Sequence, residues 1–355
     1  MAPQVSGAID CDVHVNVPGT SALLPYLEPY WVEQVTTRGV DDLVLTSTMP
    51  HSPFATRSDW RPPQGKAAST IELLRSHLLG PFDLSIAICN CVWGAQAIHS
   101  EDLAAALCRA VNTWIANEWL DKDSRLRASI VVPLQSPSRA AEEIDHWSND
   151  ARFVQVLLLA GSDVPLGRRQ MWPIYRAAER HALPVCIHAG NSYRHAPTIL
   201  GWPSYFYEEY VSYASLMQSQ LLSLLAEGVF TECPNLRVVL AEAGIGWLPG
   251  FLWRAEKGWR GLRAEVPWVT RSPIEIVREC VRLTAQPFDG PTNKEDLDRL
   301  FDQIGSDEML LFSTDYPHWQ FDGLAVLPNT VTDALARKIA IDNPRQTYPR
   351  LGRLQ

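Results

Sequence analysis

An Asp and a His two residues apart, closing an apolar run, can present two donor atoms on one side of a β-strand. The chain reads Asp10-Cys11-Asp12-Val13-His14-Val15-Asn16 near its start, and the two-residue period of a strand puts Asp10, Asp12 and His14 on one face. Other apolar runs end in His188-Ala189-Gly190, in Glu242-Ala243-Gly244 and in Asp315-Tyr316-Pro317-His318. A pair of oxygen or nitrogen ligands on one strand, joined by a His and an Asp from other strands, can surround one divalent metal ion. Such a site binds water and lowers its pKa towards neutrality. Imidazole mixed with carboxylate suits Zn, Mn or Fe, and Cys11 would face away, into the strand's other packing surface. A serine hydrolase would need a GxSxG elbow and a zincin protease HExxH, and the chain has neither.

These residues need a scaffold that gathers strand ends. Short apolar, β-branched runs recur at residues 8–15, 84–92, 128–133, 153–159, 184–188, 236–242, 281–285 and 309–314. Most are continuously apolar, as strands buried on both faces of a parallel sheet must be. Between them, residues 101–122 carry Leu103, Ala106, Leu107, Ala110, Val111, Trp114 and Ile115 at helical spacing. Helices are also expected over 136–147, opened by Ser-Pro-Ser, over 171–181, and over 212–227 with Gly228 as C-cap. Strands alternating with helices predict an α/β fold, a (β/α)8 TIM barrel, whose active residues stand at the C-terminal strand ends. An open doubly wound sheet would need a GxGxxG turn after its first strand, and none follows.

The 355 residues are then one barrel domain, 1–355, with insertions after strands one and five. Residues 17–70 hold seven Pro and several aromatics, which suggests an ordered lid or dimer arm. Residues 191–213 form an aromatic-rich insertion, and 343–355 read as a surface extension at the C-terminus. Hydrophobic residues at 46% and charged residues at 20% argue for a buried core and against disorder. The net charge of −9, with no Lys/Arg cluster, argues against nucleic-acid and anionic-membrane partners. No run of 18 apolar residues and no export signal is visible, and seven Cys without a CxxC pair suit a reducing compartment. A cytoplasmic protein is expected.

At this point the chain resembles the amidohydrolase superfamily, in particular the branch containing aminocarboxymuconate semialdehyde decarboxylase. The resemblance spans residues 9–348 and is carried by IDCDVHV, PVCIHAG, NLRVVLAEAGIGWLP and LLFSTDYPHWQFD, in matching order and spacing. The family's first motif is His-x-His, and this chain departs from it. Aligning the Ile-Asp start makes Asp12 and His14 the first two ligands, like branch members with Glu-x-His. Aligning on Asp-x-His would make them His14 and Asn16, and Asn is a poor ligand for such an ion. By resemblance, His188 is the third ligand and Asp315 the fourth, with Asp315 also moving a proton. Relatives often carry a His after strand six; here Glu242 stands nearest, and His318 is the imidazole that could replace it. One divalent metal is implied, Zn ahead of Mn or Fe, together with a homodimer.

Two activities follow. In the first, preferred here, the enzyme is a hydrolase: Asp315 takes a proton from metal-activated water, which attacks a small amide, lactam, lactone or ester. In the second it is a metal-dependent non-oxidative decarboxylase of an aromatic or enoic acid, with Asp315 protonating the carbon that loses CO₂. A non-catalytic binding barrel is the third reading. Tyr193 and Arg194 are placed to meet a substrate carboxylate, and Trp202 and Trp319 to wall a partly apolar small molecule. Plainer roles compete: a buried pair for Asp12 and His14, a turn cap for Asp315, an Arg partner for Glu242, a pocket wall for His318. His51, His77, His99, His146 and His181 lie away from strand ends and read as surface or packing residues.

Overall fold

The computed structural model describes residues 3–43 and 56–353. Eight parallel strands follow one another in sequence order: β1 (Ile9–His14), β2 (Ile86–Asn90), β3 (Leu126–Val131), β4 (Phe153–Gly161), β5 (Val185–Asn191), β6 (Val238–Ala241), β7 (Val281–Thr284) and β8 (Leu310–Leu311). Each lies on a run expected from the sequence. The sheet closes through backbone bonds between β1 and the chain leaving β8. Cys11 N donates to Phe312 O at 2.9 Å, His14 N to Tyr316 O at 2.8 Å and Asp315 N to Asp12 O at 3.1 Å. The result is a (β/α)8 barrel, and closure leaves no exposed sheet edge.

Helices cover the outside. The expected helix over 101–122 is Glu101–Ile115, capped by the Ser100 hydroxyl and extended by a wider turn, Ala116–Leu120. The helix expected from residue 212 begins earlier, as Phe206–Ala226. The last eight residues of the aromatic insertion, 206–213, are therefore helical. Its N-terminus is fixed by Glu208, whose Oε2 accepts from Ser204 N and Tyr205 N, both at 2.9 Å.

Two expectations about strand one are corrected. The β1–β2 register shifts between Asp10 and Val13, so strict alternation fails there. Asp10 does not share a site with Asp12 and His14; it accepts from Thr314 N at 3.1 Å and from Thr314 Oγ1 at 2.6 Å. Cys11 does not face the outer helices. It packs with Ile9, Ile88, Val154, Val239, Leu311, Tyr348 and Leu351. Residues from strands that are not neighbours can meet this way only inside the barrel.

The C-terminal segment is corrected as well. Asn343, Tyr348 and Leu351 are buried, the Tyr348 hydroxyl donates to Gln155 Oε1 at 3.1 Å, and Arg350 Nη1 donates to Phe153 O at 3.1 Å. Residues 343–353 thus plug the barrel floor rather than lying on the surface. In the first insertion, Thr20–Tyr26 and Pro29–Arg38 are helical and Trp60 is buried, 4.9 Å from the Tyr316 ring. Arg57 N donates to Pro317 O at 2.8 Å, so the returning insertion braces the loop after β8. His51 lies outside the described residues. His77 packs as expected, with Nδ1 3.2 Å from the Tyr316 hydroxyl. The seven cysteines are free and buried, and among the described residues no helix is long and apolar enough to cross a membrane.

Candidate metal centre

Six titratable side chains converge at the C-terminal mouth of the barrel. β1 supplies Asp12 and His14, β5 supplies His188, and the turn after β6 supplies Glu242. The loop after β8 supplies Asp315 and His318. His14 Nε2 is 2.9 Å from Glu242 Oε1 and 3.1 Å from Asp315 Oδ1. His188 Nε2 is 3.3 Å from Asp12 Oδ1 and 3.5 Å from Glu242 Oε1. His318 Nδ1 stands 2.5 Å from Asp315 Oδ1 and 3.4 Å from Glu242 Oε1. Asp12, His188 and Asp315 are essentially inaccessible, whereas the His318 side chain is 25% exposed.

Two of these residues hold backbones that side chains normally avoid. Glu242 has φ of 54° and Asp315 φ of 56°. Left-handed non-glycine residues persist when their surroundings enforce them, and they concentrate at functional sites. Glu242 N donates to Thr284 Oγ1 at 2.9 Å, and Asp315 N is tied to Asp12 O. Both turns aim a carboxylate back over the mouth.

The electrostatics call for a cation. Among the described residues no Lys or Arg pairs with Asp12, Glu242 or Asp315, and their close charged partners are the imidazoles. Burial alone would depress the imidazoles. The charges of Asp12 and Glu242 instead push His188 up to about 10, and those of Asp315 and Glu242 hold His318 well above the usual histidine value. His14 is raised too, against burial and the His318 charge, by hydrogen bonds to Asp315 and Glu242. Burial, then the Glu242 charge, pushes Asp315 up to about 6. Burial would likewise raise Glu242, but His188, His14 and His318 hold it well below the carboxylate range.

The donors fit a divalent ion. Asp12 Oδ2 and Asp315 Oδ2 are buried without a hydrogen-bond partner, which is costly unless something else satisfies them. His188 Nδ1 lies 2.6 Å from Ala189 O, so it carries the hydrogen and leaves the Nε2 lone pair to ligate. Metal bonds of about 2.1 Å place neighbouring ligand atoms about 3.0–3.4 Å apart, close to the 2.9–3.5 Å that separate His14 from Glu242 and Asp315, and His188 from Asp12 and Glu242. The four expected ligands all line this mouth, but in two overlapping groups that share His14 and Glu242: Asp12, His14, His188 and Glu242, and His14, Glu242, Asp315 and His318. Asn16 is not among them; its Nδ2 donates to Ala67 O at 2.8 Å. Glu242 has imidazole partners, not an Arg.

The remaining expected residues lie around the rim. The Tyr193 hydroxyl donates to buried Glu209 at 2.6 Å, and its ring stacks on Trp202 at 6.3 Å. Trp319 stacks on Tyr210 at 5.9 Å. Arg194 differs from expectation: its guanidinium pairs with Asp163 and donates to Ala97 O at 3.0 Å and Ile98 O at 2.9 Å. Meeting a substrate carboxylate would break those bonds. Sequence reasoning missed Asn90, whose Nδ2 donates to Asp12 Oδ1 at 2.7 Å. Its only signal was a polar residue inside the apolar run 84–92. Tyr210 was also missed; its hydroxyl donates to Gln320 and its ring stacks on Trp319, and its phenol is pushed up by burial first and then by the charges of Asp315 and Glu242.

Comparison with known proteins bears on the family. The chain is 28% identical over 276 residues to gamma-resorcylate decarboxylase from Rhizobium radiobacter, covering 73% of this chain and 80% of that protein. A solved dihydroxybenzoic acid decarboxylase from Polaromonas sp., with bound manganese and the inhibitor 2-nitroresorcinol, superimposes with a TM-score of 0.67 at 20% identity. It covers 97% of both chains. An amidohydrolase from Mycobacterium avium subsp. paratuberculosis gives a TM-score of 0.73 at 21% identity, covering 96% of this chain and 99% of that one. At such identities the structural likeness speaks for the fold alone. The amidohydrolase family model matches residues 9–350, nearly the whole chain, and this protein belongs to that family.

Proposed function

We propose that the protein is a metal-dependent, non-oxidative decarboxylase of a hydroxylated aromatic acid. The hydrolase reading preferred from the sequence gives way here, because the relatives aligned over most of the chain are decarboxylases. The observation that carries the proposal is Asp315, a buried carboxyl in contact with His14 on one side and with partly exposed His318 on the other. Asp12, His14, His188 and Asp315 would hold the ion. When bound, the ion would supply a positive charge that holds a substrate oxygen and fixes the ring against Asp315.

The chain's own groups do the rest. Asp315, in its protonated form, is the acid that delivers a proton to the ring carbon bearing the carboxylate. The bond from that carbon to the carboxylate then breaks, CO₂ leaves, and the bonding pair returns to the ring. His318, touching both Asp315 and solvent, restores the proton. The pairs Tyr210–Trp319 and Tyr193–Trp202 offer flat apolar walls for an aromatic ring. With Arg194 tied to Asp163, the imidazoles and the ion are left to meet the negative charge. Manganese, placed behind zinc from the sequence, gains support from a structure of the same fold that binds it. The expected homodimer stays part of the proposal, supported by Ile199 and Leu200, two apolar side chains left exposed in the insertion after β5.

The test is metal-loaded protein incubated with 2,6-dihydroxybenzoate and related hydroxybenzoates, with CO₂ and phenol measured in D₂O. The expected product carries one deuterium at the carbon that lost CO₂, and Asp315→Asn lowers turnover by about 10²–10⁴-fold. Hydrolysis of lactones or amides with no CO₂ from any hydroxybenzoate would restore the hydrolase.

A further inference from the structure

We propose that Glu242 is itself a ligand of the divalent ion, adding a third carboxylate to Asp12 and Asp315. The inference rests on the cation reading of this site and is independent of which reaction the site performs. Two overlapping donor sets occur at the mouth: Asp12, His14, His188 and Glu242, and His14, Glu242, Asp315 and His318. Within each, the ligand atoms lie within 4.8 Å of one another. His14 and Glu242 belong to both. His14 turns the same atom, Nε2, towards Asp12, Glu242 and Asp315. One nitrogen lone pair serves one ion, so the two sets describe alternative faces of a single site. Wherever the ion sits between them, Glu242 is among its neighbours.

His318 leaves the set by its own bonding. It is the most exposed of the six side chains, and its Nδ1 lies 2.5 Å from Asp315 Oδ1, closer than the roughly 3 Å that separates two ligands of one ion. Glu242 Oε1, in contrast, faces three imidazole nitrogens at 2.9, 3.4 and 3.5 Å. Its left-handed backbone, tied to Thr284, is what turns the side chain inward. Glu242 would thus hold the ion with His14, beside Asp12 and His188 on one face and Asp315 on the other.

The experiment uses metal-free, full-length protein titrated with Mn(II), reading free and bound ion by electron paramagnetic resonance, for wild type, Glu242→Gln and Glu242→Asp. Asp accepts the left-handed backbone and keeps the charge, but draws the carboxylate back by one methylene. Loss even of groups that only support a ligand costs about 10–100-fold in metal affinity. Both variants are therefore expected to bind Mn(II) more than about 100-fold more weakly, beyond that range, with an altered bound spectrum. A smaller loss in either variant, with the wild-type spectrum, would make Glu242 a supporting group and overturn the assignment. Circular dichroism of the metal-free forms checks folding, and if the Gln variant is unfolded the Asp variant decides alone. CO₂ release by the wild type is read separately, so the decarboxylase proposal and this one can fail independently.

Discussion

Asn90→Leu is the perturbation that most directly tests how the barrel interior supports the site. Asn90 is fully buried; its Nδ2 donates to Asp12 Oδ1 at 2.7 Å, and its Oδ1 accepts from Ser129 and from Gln155 Nε2, the latter at 3.2 Å. Gln155 in turn accepts from Tyr348 on the barrel floor. A buried polar chain therefore runs from the metal ligand to the C-terminal plug. Leu is close to Asn in size, so the main loss is hydrogen bonding. Ser129 and Gln155 still bond each other at 2.8 Å, while Asp12 keeps only His188 at 3.3 Å beyond the ion. One hydrogen bond to a charged group is worth about 2–3 kcal/mol. With an unfolding entropy of about 2.1 cal/mol/K per residue, the 355-residue chain should then melt roughly 3–4 °C lower. Freed of its donor, Asp12 can rotate, and Mn(II) affinity should drop about 10–100-fold. Differential scanning fluorimetry and Mn(II) titration read the two effects. A melting point within about 1 °C of wild type, less than about 1 kcal/mol, and unchanged affinity would refute the idea that this chain orients Asp12.

Two further outcomes follow from the same geometry. Arg194→Ala should leave KM within about twofold and lower stability by about 1–3 kcal/mol, because the guanidinium is bonded to Asp163 and two carbonyls; a sharply raised KM with unchanged melting would instead give Arg194 to the substrate. Metal affinity should rise with pH. His188, pushed up to about 10 in the metal-free protein, must release its proton to ligate, so each displaced proton gives about a tenfold gain in affinity per pH unit below that value. Chelator competition between pH 6 and 9 measures the slope, and a flat profile would contradict it.

Much of the fold could be read from local pattern. Continuous apolar runs at residues 84–92 and 153–159 announce strands covered on both faces, and they became β2 and β4. The Asp-x-His pair announced the mouth, because it closes a strand and barrel chemistry gathers where strands end. Other features were out of reach. Nothing near Arg194 in the sequence points to Asp163, 31 residues away, which engages it. The shift that turns Cys11 inward and Asp10 towards Thr314 arises where β1 meets its neighbours. Tyr348 reads as part of a polar tail until Gln155, 193 residues earlier, is set opposite it.

The division has a physical origin. Periodic burial and strand-end chemistry are properties of a segment and its immediate backbone, so the amino-acid sequence alone determined the barrel and assembled Asp12, His14, His188 and Asp315 as candidates. Which polar atoms meet across the barrel depends on closure and on the register of neighbouring strands, where a one-residue slip redirects a side chain. Asn90 beneath Asp12, Glu242 among three imidazoles and the C-terminal plug under Gln155 were decided there, by tertiary structure.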